Sequence, residues 1–171
     1  MTVAGLRRCL LMLALCGTLP PAALAAEDCA GPLAAAEAYR TAALAATRAA
    51  RPVSRHWPDC PPLGAGQTEW RDARGIARRA ILAPGGDDSA VRIELFRDAA
   101  GRPRLAVITG GAVNGARLLH GIVFAPDGAR LCEARRVSEP GYTFPDPWPE
   151  ALLPQGSAAA GRCPWPEGDS R

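Results

Sequence analysis

The hydrophobic rhythm of the chain changes twice along its length. Residues 31–51 are alanine-rich, with Pro32 near the start and Pro52 just beyond the end, the layout of a single helix. Leu33, Tyr39 and Leu44 are its only large apolar side chains, so tertiary contact has to hold it in place. Residues 52–70 place Pro52, Pro58, Pro61 and Pro62 among Gly64 and Gly66 and read as a loop. From 75 to 137 the period falls to two, as in Val91-Arg92-Ile93-Glu94-Leu95, and turn residues divide the segment into strands at 75–83, 90–97, 103–109, 116–125 and 129–137. The expected fold class is α+β, an N-terminal helix packed on a roughly five-stranded antiparallel meander.

The turns predict the pairing. In Asp98-Ala99-Ala100-Gly101-Arg102 a type I turn with Gly101 in a left-handed bulge pairs Asp98 with Arg102. That register sets Leu95 opposite Leu105, Ile93 opposite Val107 and Val91 opposite Thr109. Asn114-Gly115, as a two-residue type I′ turn, pairs Val113 with Ala116 and sets Thr109 opposite His120 and Val107 opposite Ile122. Ala125-Pro126-Asp127-Gly128-Ala129 repeats the bulged geometry, which sets Ile122 opposite Cys132 and His120 opposite Ala134. One face then gathers Val91, Ile93, Leu95, Leu105, Val107, Ile122, Phe124 and Cys132, and the helix is expected on it. The other face holds Phe96, Ile108, Leu119, Val123 and Leu131 among charged residues, too apolar for open solvent. The stretches 96–102 and 124–131 resemble the hairpins of bacterial YD-repeat proteins, a resemblance that carries no function.

Residues 138–171 are rich in proline and aromatic residues, including Tyr142, Phe144, Trp148 and Trp165. Residues that precede proline favour extended backbone, which predicts a strap over the second face, pinned by Cys163. These four aromatics are also the candidate binding residues, because tyrosine and tryptophan dominate interface energetics.

The N-terminal 26 residues have the layout of a secretory leader: Arg7 and Arg8, an apolar run at 9–19, and small residues around Ala23, Leu24 and Ala25. The apolar run is about half the roughly 20 residues a spanning helix needs, so no membrane span is expected. The expectation is one exported domain at 27–171, in the periplasm or outside the cell. Cysteine usage agrees: Cys29, Cys60, Cys132 and Cys163 form an even set, which predicts two disulfides. Of the three connectivities such a set allows, pairing of neighbours, Cys29 with Cys60 and Cys132 with Cys163, is favoured. The absence of C-x-x-C spacing points away from a metal, and no cofactor is expected.

Charge narrows the partner class. Every basic residue is arginine, and losing Arg7 and Arg8 with the leader leaves 18 basic against 17 acidic side chains, about +1. Such a balance gives no electrostatic case for nucleic acid. The arginines are scattered along the chain, whereas a surface for bidentate anion recognition needs them clustered. His120 and His56 are the candidate chemical residues, yet the predicted register puts no carboxylate or nucleophile opposite His120, and no serine lies in a G-x-S-x-G setting. Asp87-Asp88 after Gly85-Gly86 reads as a polar turn rather than a calcium loop. The expected function is a non-enzymatic binding protein whose partner is a protein or cell-envelope component, such as an inhibitor or an immunity-type protein. The alternatives are a small hydrolase-like enzyme using His120 or His56, and an envelope structural protein.

Overall fold

The computed structural model describes residues 29–60, 64–84 and 86–144. The leader at 1–26, Trp148, Cys163 and Trp165 lie outside these residues. Helix α1 (Ala30–Ala46) is followed by β1 (Val53–Trp57), β2 (Ala65–Arg71), β3 (Ala77–Pro84), β4 (Ser89–Arg97), β5 (Pro103–Ala112), β6 (Arg117–Phe124) and β7 (Arg130–Val137). The strands form one antiparallel sheet in the order of the sequence, and α1 packs on it. The expected helix on a meander is therefore present, with seven strands rather than five. The two missed strands lie in the stretch read as loop. Pro52 and Pro58 fall just outside β1, so neither takes an amide from the ladder. Within β2, Ala65, Gln67 and Glu69 alternate as buried positions.

The helix ends at Ala46, short of the expected 51. There the Thr47 hydroxyl donates to the Ala43 carbonyl at 2.7 Å, as does the Thr47 N–H at 3.1 Å. Leu33, Ala36, Tyr39, Ala43 and Thr47 make the sheet-facing stripe, and Leu44, the third large apolar residue of the helix, is 39% exposed.

Two predicted turns form as expected. The Asp98 N–H donates to the Arg102 carbonyl at 3.0 Å, and the Ala125 N–H to the Ala129 carbonyl at 2.8 Å. One step further in, the ladder slips. Arg97 pairs with Pro103 but Phe96 with Leu105, which leaves Arg104 as an extra residue. Proline has no N–H to continue the ladder, so the strand bulges there. Arg78 is the extra residue of the β2–β3 hairpin and Leu131 that of β6–β7. The Asn114-Gly115 turn also differs from expectation, because it closes Ala112 on Ala116. A type I′ turn needs positive φ at both central residues, and only Gly115, at φ 91°, has it.

Each register therefore moves by one residue relative to the expectation. Leu95 faces Ala106, Ile93 faces Ile108, Ile108 faces His120, Ile122 faces Glu133 and His120 faces Arg135. Since side chains alternate, the shift redistributes the apolar residues over two faces. The inner face carries Leu82, Ile93, Leu95, Ala106, Ile108, Ile122 and Phe124 and is sealed by Phe144, with Tyr142 packed against it. The outer face carries Phe96, Leu105, Val107, Val123 and Cys132, and it is here, not on the Ile93 face, that α1 packs through Leu33, Ala36 and Ala43. A side chain at Gly121 would meet Leu33 Cδ2 at 3.1 Å, so the missing side chain lets the helix come close.

Cys29 is bonded to Cys132, which overturns the neighbour pairing and ties the start of α1 to β7 across 103 residues. The physical reason is the meander itself: α1 crosses the outer face and begins beside the far edge strand, whereas Cys60 follows β1 at the opposite edge. Cys60 is buried and also disulfide-bonded. No helix among the described residues is long and apolar enough to cross a membrane.

Candidate functional site

His120 sits on the inner face of β6 with no solvent exposure. Its Nε2 lies 2.9 Å from Glu133 Oε1, and the other oxygen of Glu133 is paired with Arg130. The sequence placed His120 in the core but saw no carboxylate there. The extra residue Leu131 turns Glu133 inward, diagonally across from the imidazole. No local signal in the sequence marks that bulge. The carboxylate is 30% exposed while the ring is sealed, so the pair links the interior to the surface through Glu133 alone. A general base must come within hydrogen-bond reach of the proton it takes, and no solute reaches the His120 ring in this arrangement. His56 is exposed on β1 and points to the outer face, so the structure does not bring the two histidines together.

Gln67, Glu69, Arg78 and Arg97 are buried as well. Glu69, Arg78 and Arg97 lie beside the turns that close β2–β3 and β4–β5, which are built alike. The Asp72 carboxylate accepts from the backbone N–H of Arg74 at 2.9 Å and of Ile76 at 3.1 Å, and that of Asp98 from Ala100 at 2.9 Å and Arg102 at 3.0 Å. Burial raises the pKa of both carboxyls, but these N–H donors with Arg78 and Arg74 for Asp72, and with Arg102 for Asp98, bring each below its ordinary value. Burial lowers the Arg97 pKa, the Glu69 carboxylate opposing it and the Arg71 charge adding to it. Arg74 also donates to the Ala99 carbonyl at 2.7 Å and joins the two turns. At this end of the molecule a hydrogen-bonded polar network ties the two turns together.

The expected binding aromatics divide. Phe144 is 1% exposed and belongs to the core. Tyr142 stacks edge-on against it at 4.6 Å between centroids and donates its hydroxyl to Asp88 at 2.6 Å. Asp88 thus closes the tail onto the β3–β4 turn. Arg135 donates to the Phe144 carbonyl at 3.1 Å, and a shallow cleft of about 360 Å³ runs past Arg135, Ser138, Glu139 and Tyr142.

Among the described residues, α1 covers one half of the outer face. Toward the other end, Arg92, Thr109, Leu119 and Arg136 are successive ladder partners and form one row across β4 to β7. All four are exposed, Leu119 by 55%. The next row begins with Ala90 and Gly111, and there Arg117 is also exposed. Arg92 and Arg136, 44 residues apart in the chain, thus stand on one surface. Their alternation with apolar neighbours was legible in the sequence, but the convergence depends on the register.

Comparison with known proteins finds no matching family model, no similar curated protein and no similar solved structure.

Proposed function

We propose that the chain is an exported, non-enzymatic binding protein whose partner is a protein of the cell envelope, as an inhibitor or immunity-type protein would be. One observation carries this reading: the row Arg92-Thr109-Leu119-Arg136 is exposed on a sheet whose interior His120 ring is sealed from solutes. A four-stranded platform is rigid, and a half-face left free of the helix offers partner contact with little ordering cost. Disulfide pinning of α1 suits an oxidising compartment.

Photo-crosslinking from position 119 of the oxidised protein tests the reading in an envelope extract, with position 56 as the exposed control on the same sheet face. The expected result is one protein crosslinked from 119, displaced by excess unlabelled protein and not obtained from 56. Repeated failure to obtain any displaceable crosslink would remove the reading.

A further inference from the structure

We infer that the open half of the outer face recognises a carboxylate-bearing protein surface, in which two acidic side chains flank an apolar one. The inference rests on the binding-protein reading and names the chemistry of its partner.

The geometry is set by the sheet. Arg92 and Arg136 stand at the two ends of a four-strand row. Strands lie about 4.8 Å apart, which puts the two α-carbons about 14 Å from each other. Thr109 and Leu119 lie between them, and Arg117 stands one row further out. Neither Arg92 nor Arg136 has a hydrogen bond or ion pair among the described residues, in contrast to Arg79, which pairs with Glu94, and Arg104, which lies 3.7 Å from Asp98. Neither the Arg92 row nor the Ala90-Gly111-Arg117 row holds an acidic side chain. The nearest outer-face carboxylate along β4, Glu94, is held by Arg79.

Two guanidinium groups that have no partner among the described residues, beside an exposed leucine, are complementary to acid groups around an apolar contact. Guanidinium presents its donors as a fork that matches carboxylate. A protein is favoured over an anionic lipid surface because the mature chain carries about one net positive charge, too little to steer it to a membrane. The match in length is specific: an extended strand rises about 3.4 Å per residue, so side chains at i and i+4 on one face span about 14 Å with i+2 between them. A Glu-x-Leu-x-Glu strand laid across β4 to β7 places a carboxylate over each arginine and its leucine over Thr109 and Leu119.

The probe is the peptide Ser-Glu-Thr-Leu-Thr-Glu-Ser, titrated into isotope-labelled oxidised protein and followed by amide chemical shifts. The glutamine analogue and phosphatidylglycerol vesicles are run in parallel. The expected result is shifts centred on Arg92, Thr109, Leu119 and Arg136, weakened at least tenfold in R92A/R136A and by the glutamine analogue. Lysine at both positions is expected to restore binding in part, since it keeps charge but not the fork. Equal binding of the glutamine peptide, no arginine dependence, or binding of vesicles in place of peptide would each overturn the inference. A displaceable crosslink from 119 that survives R92A/R136A would overturn it alone and leave the binding reading standing. Absence of both peptide binding and crosslink in the unsubstituted protein removes the two together.

Discussion

The two faces of this sheet are closed by different means. On the inner face the side chains are large, and Leu82, Ile93, Leu95, Ile108 and Ile122 lose all solvent contact. On the outer face the cover is a helix whose fully buried residues are Ala36 and Ala43, and that helix has no side-chain N-cap and no acidic residue in its first turn. Small contacts bury little apolar area, so the hydrophobic gain from docking α1 is modest. The disulfide from Cys29 to Cys132 compensates. One sheet thus shows packing by volume on one side and packing by covalent constraint on the other.

The sharpest way to break this contrast is to remove the bond. In the chain-entropy view a crosslink closing about 100 residues is worth roughly 3 to 5 kcal/mol. The C29S/C132S double variant should lose about that much by urea denaturation, with α1 amides losing hydrogen-exchange protection before those of β4 to β6. Uniform loss of protection along the chain would show that the helix is not the weaker partner. Core truncation comes next. Ile93→Ala and Ile122→Ala should each cost about 2 to 5 kcal/mol and Phe144→Ala about 3 to 5, as judged by the denaturation midpoint. The inner polar pair should matter less. Glu133→Ala leaves the sealed His120 ring without its carboxylate, an expected loss of about 1 to 3 kcal/mol that Glu133→Gln partly spares.

Acid should reveal the turns. Asp72 and Asp98 are both held below their ordinary values, so the stability they confer is complete above the unfolded pKa of about 3.9 and lost as pH falls through the lower folded value. Thermal melting between pH 2 and 6 should show that limb in the native chain and a flatter one in D72N/D98N. At the bottom of the scale, Leu119→Ala and R92A/R136A should change stability by no more than about 0.5 kcal/mol, since they lie on open surface. A larger loss in either would mean that this surface helps to hold the fold.

The sequence reveals rules that act over a few residues and hides those that act across strands. Gly101 and Gly128 mark their turns correctly, and the alternation Val91 to Leu95 is a true strand. The bulges at Arg104 and Leu131 shift the ladders by one, and that single step decides which face receives Leu105, Ile108 and Cys132. Pro103 offered a local warning of the first bulge, because it cannot donate to the ladder, whereas nothing near Leu131 warned of the second. The strands β1 and β2 were hidden by flanking prolines. Of the candidate site, the burial of His120 was legible, but its carboxylate partner depended on the second bulge. The convergence of Arg92, Arg117 and Arg136 depends wholly on pairing among β4 to β7 and has no signature in spacing along the chain.

The link between Cys29 and Cys132 also fixes an order of events during synthesis. Neighbouring strands pair with neighbours, so the hairpins can form as soon as their residues appear. Cys29 appears about a hundred residues ahead of its mate, with Cys60 the first thiol within its reach. Thiolate attack makes such early partnerships reversible, and β7, which carries Cys132, brings the thiol able to replace them. A nascent chain stopped before β7 therefore lacks the thiol that ties its N-terminal helix to the sheet in the native fold.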